Sequence, residues 1–129
     1  MKTKILITRK ISDAAEEKLK NKFDVTLNLE DIPIPYEELI NKANEHDGIV
    51  STGWDKLDEN FFNNIKDKLK IIAQVGVGYD NIAISSAKEK KIKVTNSPNV
   101  LNDAVAEITI FLMLAAARRA GEGFNLVKS

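Results

Sequence analysis

The chain contains no cysteine, which removes disulfides, thiol nucleophiles and thiolate metal sites at once. It has one histidine, His46, whereas a metal cluster or a serine, histidine, acid triad needs histidine held by a specific second group. No metal site is expected. Charge of one sign is also missing. Nineteen Lys and Arg offset nineteen Asp and Glu, so no strong field draws nucleic acid or an anionic membrane to the surface, and neither partner is expected. Long hydrophobic runs are absent too: the longest, residues 104–117, is interrupted by Glu107 and Thr109, while a membrane span needs about 20 apolar residues. Near the start only Ile5, Leu6 and Ile7 follow a charged flank, too short an apolar run for a signal peptide. With the lack of cysteine, this suggests a cytoplasmic setting.

What is present suits a folded domain. Of 129 residues, 43% are hydrophobic and 29% charged, enough apolar material for a core and no disorder-like excess of charge. Ile5, Leu6 and Ile7 read as a strand buried on both faces. Ser12, followed by Ala14, Ala15 and Leu19 with Glu16 four residues on, predicts a capped amphipathic helix. Phe23, Val25, Leu27 and Leu29 alternate with polar residues and predict a second strand, ended by the turn at Pro33 and Pro35. Pro35 is placed at the first position of the next helix. Leu39, Ile40 and Ala43 form that helix's inner stripe, Asp47 and Gly48 end it, and Ile49 and Val50 begin a third strand. Asp58 caps a helix carrying Phe61, Phe62, Ile65 and Leu69, and residues 70–75 form a fourth strand running into Gly76. A short helix over about 81–90 leads to a fifth strand at 92–95. Strands alternating with short helices predict right-handed crossovers and a parallel sheet covered on both faces, here a flavodoxin-like, doubly wound, five-stranded α/β sheet. One long C-terminal helix follows from about Asn102. Residues 1–100 are read as one domain and 101–129 as the long helix.

Gly76-Val77-Gly78-Tyr79-Asp80-Asn81 falls at the carboxyl end of the fourth strand, the rim on which doubly wound sheets bind ligands. Paired glycines let the backbone turn sharply and leave amide N–H groups free to meet a carboxylate or phosphate; a tight turn without a ligand is the plainer alternative. As a dinucleotide fingerprint the segment fails, because Asn81 replaces the third glycine. Ser51, Thr52, Gly53 and Trp54 follow the third strand and belong on the same rim. Trp54 reads as packing sooner than as a pocket wall, and His46, at a helix end, reads as structural. A receiver-type signalling module would need clustered acids beside the first strand, where Thr8, Arg9 and Lys10 stand instead. A flavin module would need glycines and hydroxyls there. Val105, Ile108, Ile110, Phe111, Leu112, Met113 and Leu114 surround most of the last helix's circumference, so another surface is expected to cover it. Arg118 and Arg119 suit its end, with Gly121 or Gly123 terminating it.

Gly76-Val77-Gly78-Tyr79-Asp80-Asn81-Ile82, Val94-Thr95-Asn96-Ser97-Pro98, Val105-Ala106-Glu107 and Leu114-Ala115-Ala116-Ala117-Arg118-Arg119 resemble, in order and spacing, the D-isomer-specific 2-hydroxyacid dehydrogenases. The glyoxylate and hydroxypyruvate reductase branch is the most similar, and the resemblance spans essentially the whole chain while covering only part of the family's length. It implies reduction of a small 2-keto acid by hydride from NAD or NADP. It also implies a substrate carboxylate held by backbone at Val77 and Gly78; with Gly76 of the same turn and Thr52 and Gly53 of the neighbouring one, read above from the residues, these make up the candidate substrate site. The family's dinucleotide loop and its catalytic arginine, acid and histidine would lie beyond residue 129. No catalytic residue is therefore expected within the chain, nor a cofactor bound to it, and Val105 is the one candidate cofactor contact. The fragment is expected to be inactive alone and to pair as a homodimer through the helix from Asn102 to about Ala120. Asn99 stands where the family commonly has glycine, and Ala83 where it commonly has aspartate. The alternative is a stand-alone flavodoxin-like binding or interaction module without catalysis.

Overall fold

The structure, a computed structural model, describes residues 2–128. In chain order it runs β1 (Lys4–Ile7), α1 (Asp13–Lys22), β2 (Asp24–Leu27), α2 (Tyr36–Glu45), β3 (Gly48–Thr52), α3 (Glu59–Asn64), β4 (Ile71–Val75), α4 (Ile84–Glu89) and β5 (Lys93–Thr95), then α5 (Asn102–Ala117) and α6 (Ala120–Lys128). The strands form one sheet in the order β2-β1-β3-β4-β5, and every pairing is parallel. This is the expected doubly wound, flavodoxin-like order.

Handedness follows from that order. The chain steps from β1 to β2 in one direction and then reverses, crossing β1 to reach β3 and continuing outward. Right-handed crossovers therefore put α1 on one face and α2, α3 and α4 on the other. The core agrees: Leu39, Ile40 and Ala43 of α2, Phe61 and Phe62 of α3 and Ala87 of α4 pack with Leu6, Ile49 and Ile72 of the sheet. Ile5 and Ile7 are buried outside that cluster, on the opposite face, as strand alternation requires. On the same side of β4, Ile71 and Val75 are exposed. Phe61 and Phe62 meet edge to face, with ring centroids 5.3 Å apart, an arrangement that contributes beyond the area buried.

Several expected boundaries move. β2 stops at Leu27 because its pairing with β1 ends there, and Leu29 lies exposed. Ser12 takes the N-cap position of α1 but its side chain makes no capping bond. Buried Glu16 instead reaches back to the Ile11 amide at 3.4 Å and to Lys10 Nζ at 3.2 Å. Pro35 is the N-cap of α2 and not its first residue. Gly48 does not end α2; it opens β3, where an added Cβ would lie 2.8 Å from Ile5 Cδ1 and 3.0 Å from Ile71 Cγ2. Asp58 caps α3 as expected, accepting from the Phe61 amide at 3.0 Å.

By contact the chain divides into two compact units, Met1–Ser97 and Pro98–Ser129. In the second, a single long helix is replaced by two. Arg119 adopts φ 52 between α5 and α6, which breaks the helix, and Gly121 and Gly123 lie within α6 and terminate nothing. No residue of α5 is buried. Among the described residues, no helix is long and apolar enough to cross a membrane.

Candidate functional site

β3 and β4 run side by side with Thr52 opposite Val75, so the loops that leave them start together on the carboxyl rim of the sheet. There a pocket of about 330 Å³ is lined by Gly53, Gln74, Val75, Gly76, Gly78, Asp80 and Asn81. Of the residues expected to hold a substrate, the pocket brings together Gly53, Gly76 and Gly78. Thr52 and Val77 adjoin it in sequence and are not among its lining residues.

At the start of the loop after β4, the carbonyls of residues 76–79 are occupied and the amides of residues 76–78 are not. The Gly76 carbonyl accepts from the Ser97 amide at 2.9 Å and that of Tyr79 from the Ile82 amide at 3.0 Å. Between them, the Val77 carbonyl accepts from Asn96 Nδ2 at 2.8 Å and the Gly78 carbonyl from Gln74 Nε2 at 3.3 Å. Four consecutive peptide planes are thereby fixed by their oxygens. The N–H groups of Gly76, Val77 and Gly78 donate to no protein acceptor among the described residues. Unspent backbone donors on a fixed loop form an anion-binding concavity. Gly76 sits at φ 140, a conformation that side chains rarely tolerate. Gly53 and Gly78 are different, since an added Cβ at either would meet nothing within 4 Å. Packing demands neither glycine. Asp80 puts a like charge on the rim of such a site, but it is exposed and screened by water.

A linked set of polar side chains runs from the pocket wall inward, with Ser51, Gln74, Asp55 and Thr8 buried and Asn81 half-buried. Ser51 Oγ donates to Gln74 Oε1 at 2.7 Å, and Gln74 Nε2 also donates to Asn81 Oδ1 at 3.1 Å. Asn81 Nδ2 donates to the carbonyls of Thr52 at 3.1 Å and Asp55 at 2.9 Å. Asp55 in turn accepts from the Thr52 amide at 2.7 Å and from Thr8 Oγ1 at 2.5 Å, which ties the β3 loop to the end of β1. The Thr52 amide is therefore spent inside the loop. Sequence reasoning passed over Gln74, Asn81 and Asp55 as site builders. The available signal was Gln74 itself, the one polar residue within β4.

Trp54 is 77% exposed, so the packing reading is wrong; it follows Gly53 into solvent and is not among the pocket's lining residues. His46 is buried, with Nδ1–H donating to the Lys42 carbonyl at 2.6 Å and Nε2 2.8 Å from Thr26 Oγ1. The ring closes the last turn of α2 and fastens it to β2, a structural role. Val105 is an exposed residue of α5. Asn99 adopts φ 64, a backbone conformation that glycine reaches freely and asparagine tolerates. Ala83 is the N-cap of α4 and makes no capping bond, the position where an aspartate would supply one. Among the described residues no group of acidic, histidine or cysteine side chains could hold a metal ion.

With that geometry in view, comparison with known proteins decides the family. Residues 5–125 match the family described as D-isomer specific 2-hydroxyacid dehydrogenase, catalytic domain. The chain belongs to this family. It is 40% identical over 129 residues to the glyoxylate reductase of Pyrococcus horikoshii, covering 100% of this chain and 38% of that protein. It is 34% identical over 128 residues to the glycerate dehydrogenase of Hyphomicrobium methylovorum, covering 99% of this chain and 40% of that protein. A crystal structure from Polaromonas sp. JS6 66, described as a D-isomer specific 2-hydroxyacid dehydrogenase, NAD-binding, superimposes with a TM-score of 0.87 at 32% identity, covering 100% of this chain and 40% of that one. The chain thus spans about two-fifths of the length of the 2-hydroxyacid dehydrogenases it matches.

Proposed function

We propose that the chain is the substrate-side part of an NAD(P)-dependent 2-hydroxyacid dehydrogenase acting on a small 2-keto acid such as glyoxylate or hydroxypyruvate. Its role in this reading is to seat the substrate carboxylate on the amides of Gly76, Val77 and Gly78, with Gly53 and Thr52 on the facing loop. The observation that carries the reading is the loop after β4, whose carbonyls from Gly76 to Tyr79 are engaged while the amides of Gly76, Val77 and Gly78 are unspent. The family membership and the names of the relatives, glyoxylate reductase and glycerate dehydrogenase, point to the same class of acid.

The residues present do not fit a dinucleotide. Asn81 stands at the third glycine position and its side chain is consumed by two carbonyls. α4 begins only at Ile84, so no helix N-terminus follows the glycines to receive a pyrophosphate. We therefore assign the dinucleotide loop for NAD or NADP to a part of the enzyme other than the loop after β4, keep Val105 as the one candidate contact within this chain, and take the 129-residue chain to be inactive by itself. A cytoplasmic setting belongs to the same reading.

Binding to the isolated seat is weak in this account. A carboxylate that meets two of these three amides at once gains roughly 3 to 6 kcal/mol gross from charge-assisted hydrogen bonds, against an association cost of about 4 kcal/mol or more. Titration of glyoxylate into the 15N-labelled chain is expected to shift the Gly76, Val77 and Gly78 amides and few others, with a millimolar or weaker constant. A micromolar constant, or shifts confined to other residues, would contradict the reading. A longer chain carrying a dinucleotide-binding part is expected to reduce glyoxylate, hydroxypyruvate or pyruvate with NADH or NADPH, while the 129-residue chain does not.

The same reading makes the protein a homodimer through α5. Ile108, Ile110, Phe111, Leu112, Met113 and Leu114 are all exposed. At roughly 1.5 to 3 kcal/mol per large side chain buried, covering half of them is worth as much as the ~5 to 15 kcal/mol stability of a domain. Light scattering at micromolar concentration should give twice the monomer mass, and Phe111→Asp should return the monomer.

A further inference from the structure

The pocket needs two loops held at a fixed separation, and two carboxamides connect them. Asn81 leaves the β4 loop and spends both of its N–H bonds on the β3 loop, at Thr52 O and Asp55 O, 3.1 and 2.9 Å away. Its own oxygen accepts from Gln74 Nε2 at 3.1 Å. Gln74 Nε2 also reaches the Gly78 carbonyl at 3.3 Å, and Gln74 Oε1 is occupied by Ser51 Oγ at 2.7 Å. Gln74 and Ser51 are 4% and 0% exposed, so water offers these groups little substitute. Every donor faces an acceptor and every acceptor a donor, which leaves each carboxamide one orientation.

Resting on the carboxylate seat proposed above, we infer that Asn81 and Gln74 are positioning residues for substrate binding: Asn81 sets the distance between the two loops, and Gln74 orients the Gly78 peptide. Neither side chain needs to touch the substrate. The Gly78 carbonyl held by Gln74 belongs to the peptide that follows the Gly78 amide, so fixing it limits rotation of the backbone that presents that amide.

Isosteric charge variants test this, because they keep shape and remove donors. In N81D a carboxylate replaces both N–H bonds and faces two carbonyls; in Q74E it faces the Gly78 carbonyl and Asn81 Oδ1. Leaving buried acceptors unpaired weakens the function they support by roughly tenfold or more. The glyoxylate dissociation constant, measured by amide shifts in the 129-residue chain, is expected to rise about tenfold or more in N81D and somewhat less in Q74E. In the ligand-free variants, the Gly53 and Gly78 amides are expected to change chemical shift while those of Leu6 and Ile72 do not. Because N81D and Q74E also place a negative charge beside the anion, the neutral variant Ser51→Ala, which removes the donor to Gln74 Oε1, is expected to weaken binding as well, an effect that charge repulsion alone would not give. If N81D does not fold, Q74E and Ser51→Ala carry the test, the latter removing only the donor to Gln74 Oε1. Binding within twofold of the parent with unchanged Gly53 and Gly78 amides in every folded variant would overturn the inference and leave the seat standing. Absence of shifts at Gly76 to Gly78 in the parent chain would overturn the seat, and the ligand-free amides would still decide whether the pair holds the loops.

Discussion

Leu39, Leu57 and Leu69, in the unit Met1–Ser97, are at most 2% exposed, whereas Leu112 and Leu114, in the unit Pro98–Ser129, are 58% and 60% exposed. The second group sits in the more continuously apolar stretch of sequence. Hydrophobicity therefore does not by itself bury a residue; a neighbour has to be supplied. In the sheet unit the apolar residues of α2 and α3 pack with strand residues. α5 is apolar around most of its circumference and has no buried residue, which is the signature of a surface that expects company.

The contrast is broken or upheld most directly by truncating one side chain in each unit. Phe62→Ala, in the centre of the sheet core, is expected to cost about 3 to 5 kcal/mol in urea unfolding. Leu112→Ala should change the stability of the dilute monomer by about 0.5 kcal/mol or less. Comparable costs would mean that α5 is packed in solution. Glycine replacement sharpens the point with a smaller effect of opposite signs. Gly76→Ala, forced to φ 140, should destabilise the sheet unit by roughly 1 to 3 kcal/mol. Gly123→Ala, within α6 and with nothing within 4 Å of the new methyl, should raise helicity and contribute about 0.5 to 1 kcal/mol.

The smallest effect concerns a cap and its pH dependence. Asp58→Ala should cost about 1 kcal/mol by removing the α3 cap. The Asp58 carboxyl is held below the ordinary carboxylate range, first by the Tyr36 hydroxyl at 2.5 Å, then by the Phe61 amide and Lys56. A depressed native value means that the unfolded chain binds this proton more tightly. The contribution is thus fully present above the unfolded value of roughly 4 and is lost as pH falls through the lower native one. Melting temperatures of the parent and Asp58→Ala should differ by a constant amount above about pH 5 and converge in stronger acid. A gap that widened on acidification would reverse the sign and refute the assignment.

The sheet was legible because its signals are local. Continuous apolar runs such as Ile5-Leu6-Ile7 and the Asp58 cap mark strands and a helix start wherever they stand. The misplaced ends have non-local causes. Alternation continues to Leu29, but β2 stops where β1 no longer runs beside it. The break after α5 turns on Arg119 entering left-handed backbone, for which arginine carries no sequence signal. In the site, the glycines and the rim were readable; the carboxamide pair was not. Asn81 looked like a failed third glycine because its partners, Thr52 and Asp55, are 29 and 26 residues away. Trp54 misled for the converse reason, since large apolar area predicts packing only when the fold offers a place for it.

The sheet also ends deliberately on one side. β5 offers only three residues, opens with Lys93 and follows Lys91 at φ 57. A strand from another molecule approaching that border would strip water from ammonium groups in return for very few peptide bonds. Crowded copies of the protein thus gain little from lengthening one another's sheets, and fibril-like stacking is discouraged at its outermost strand.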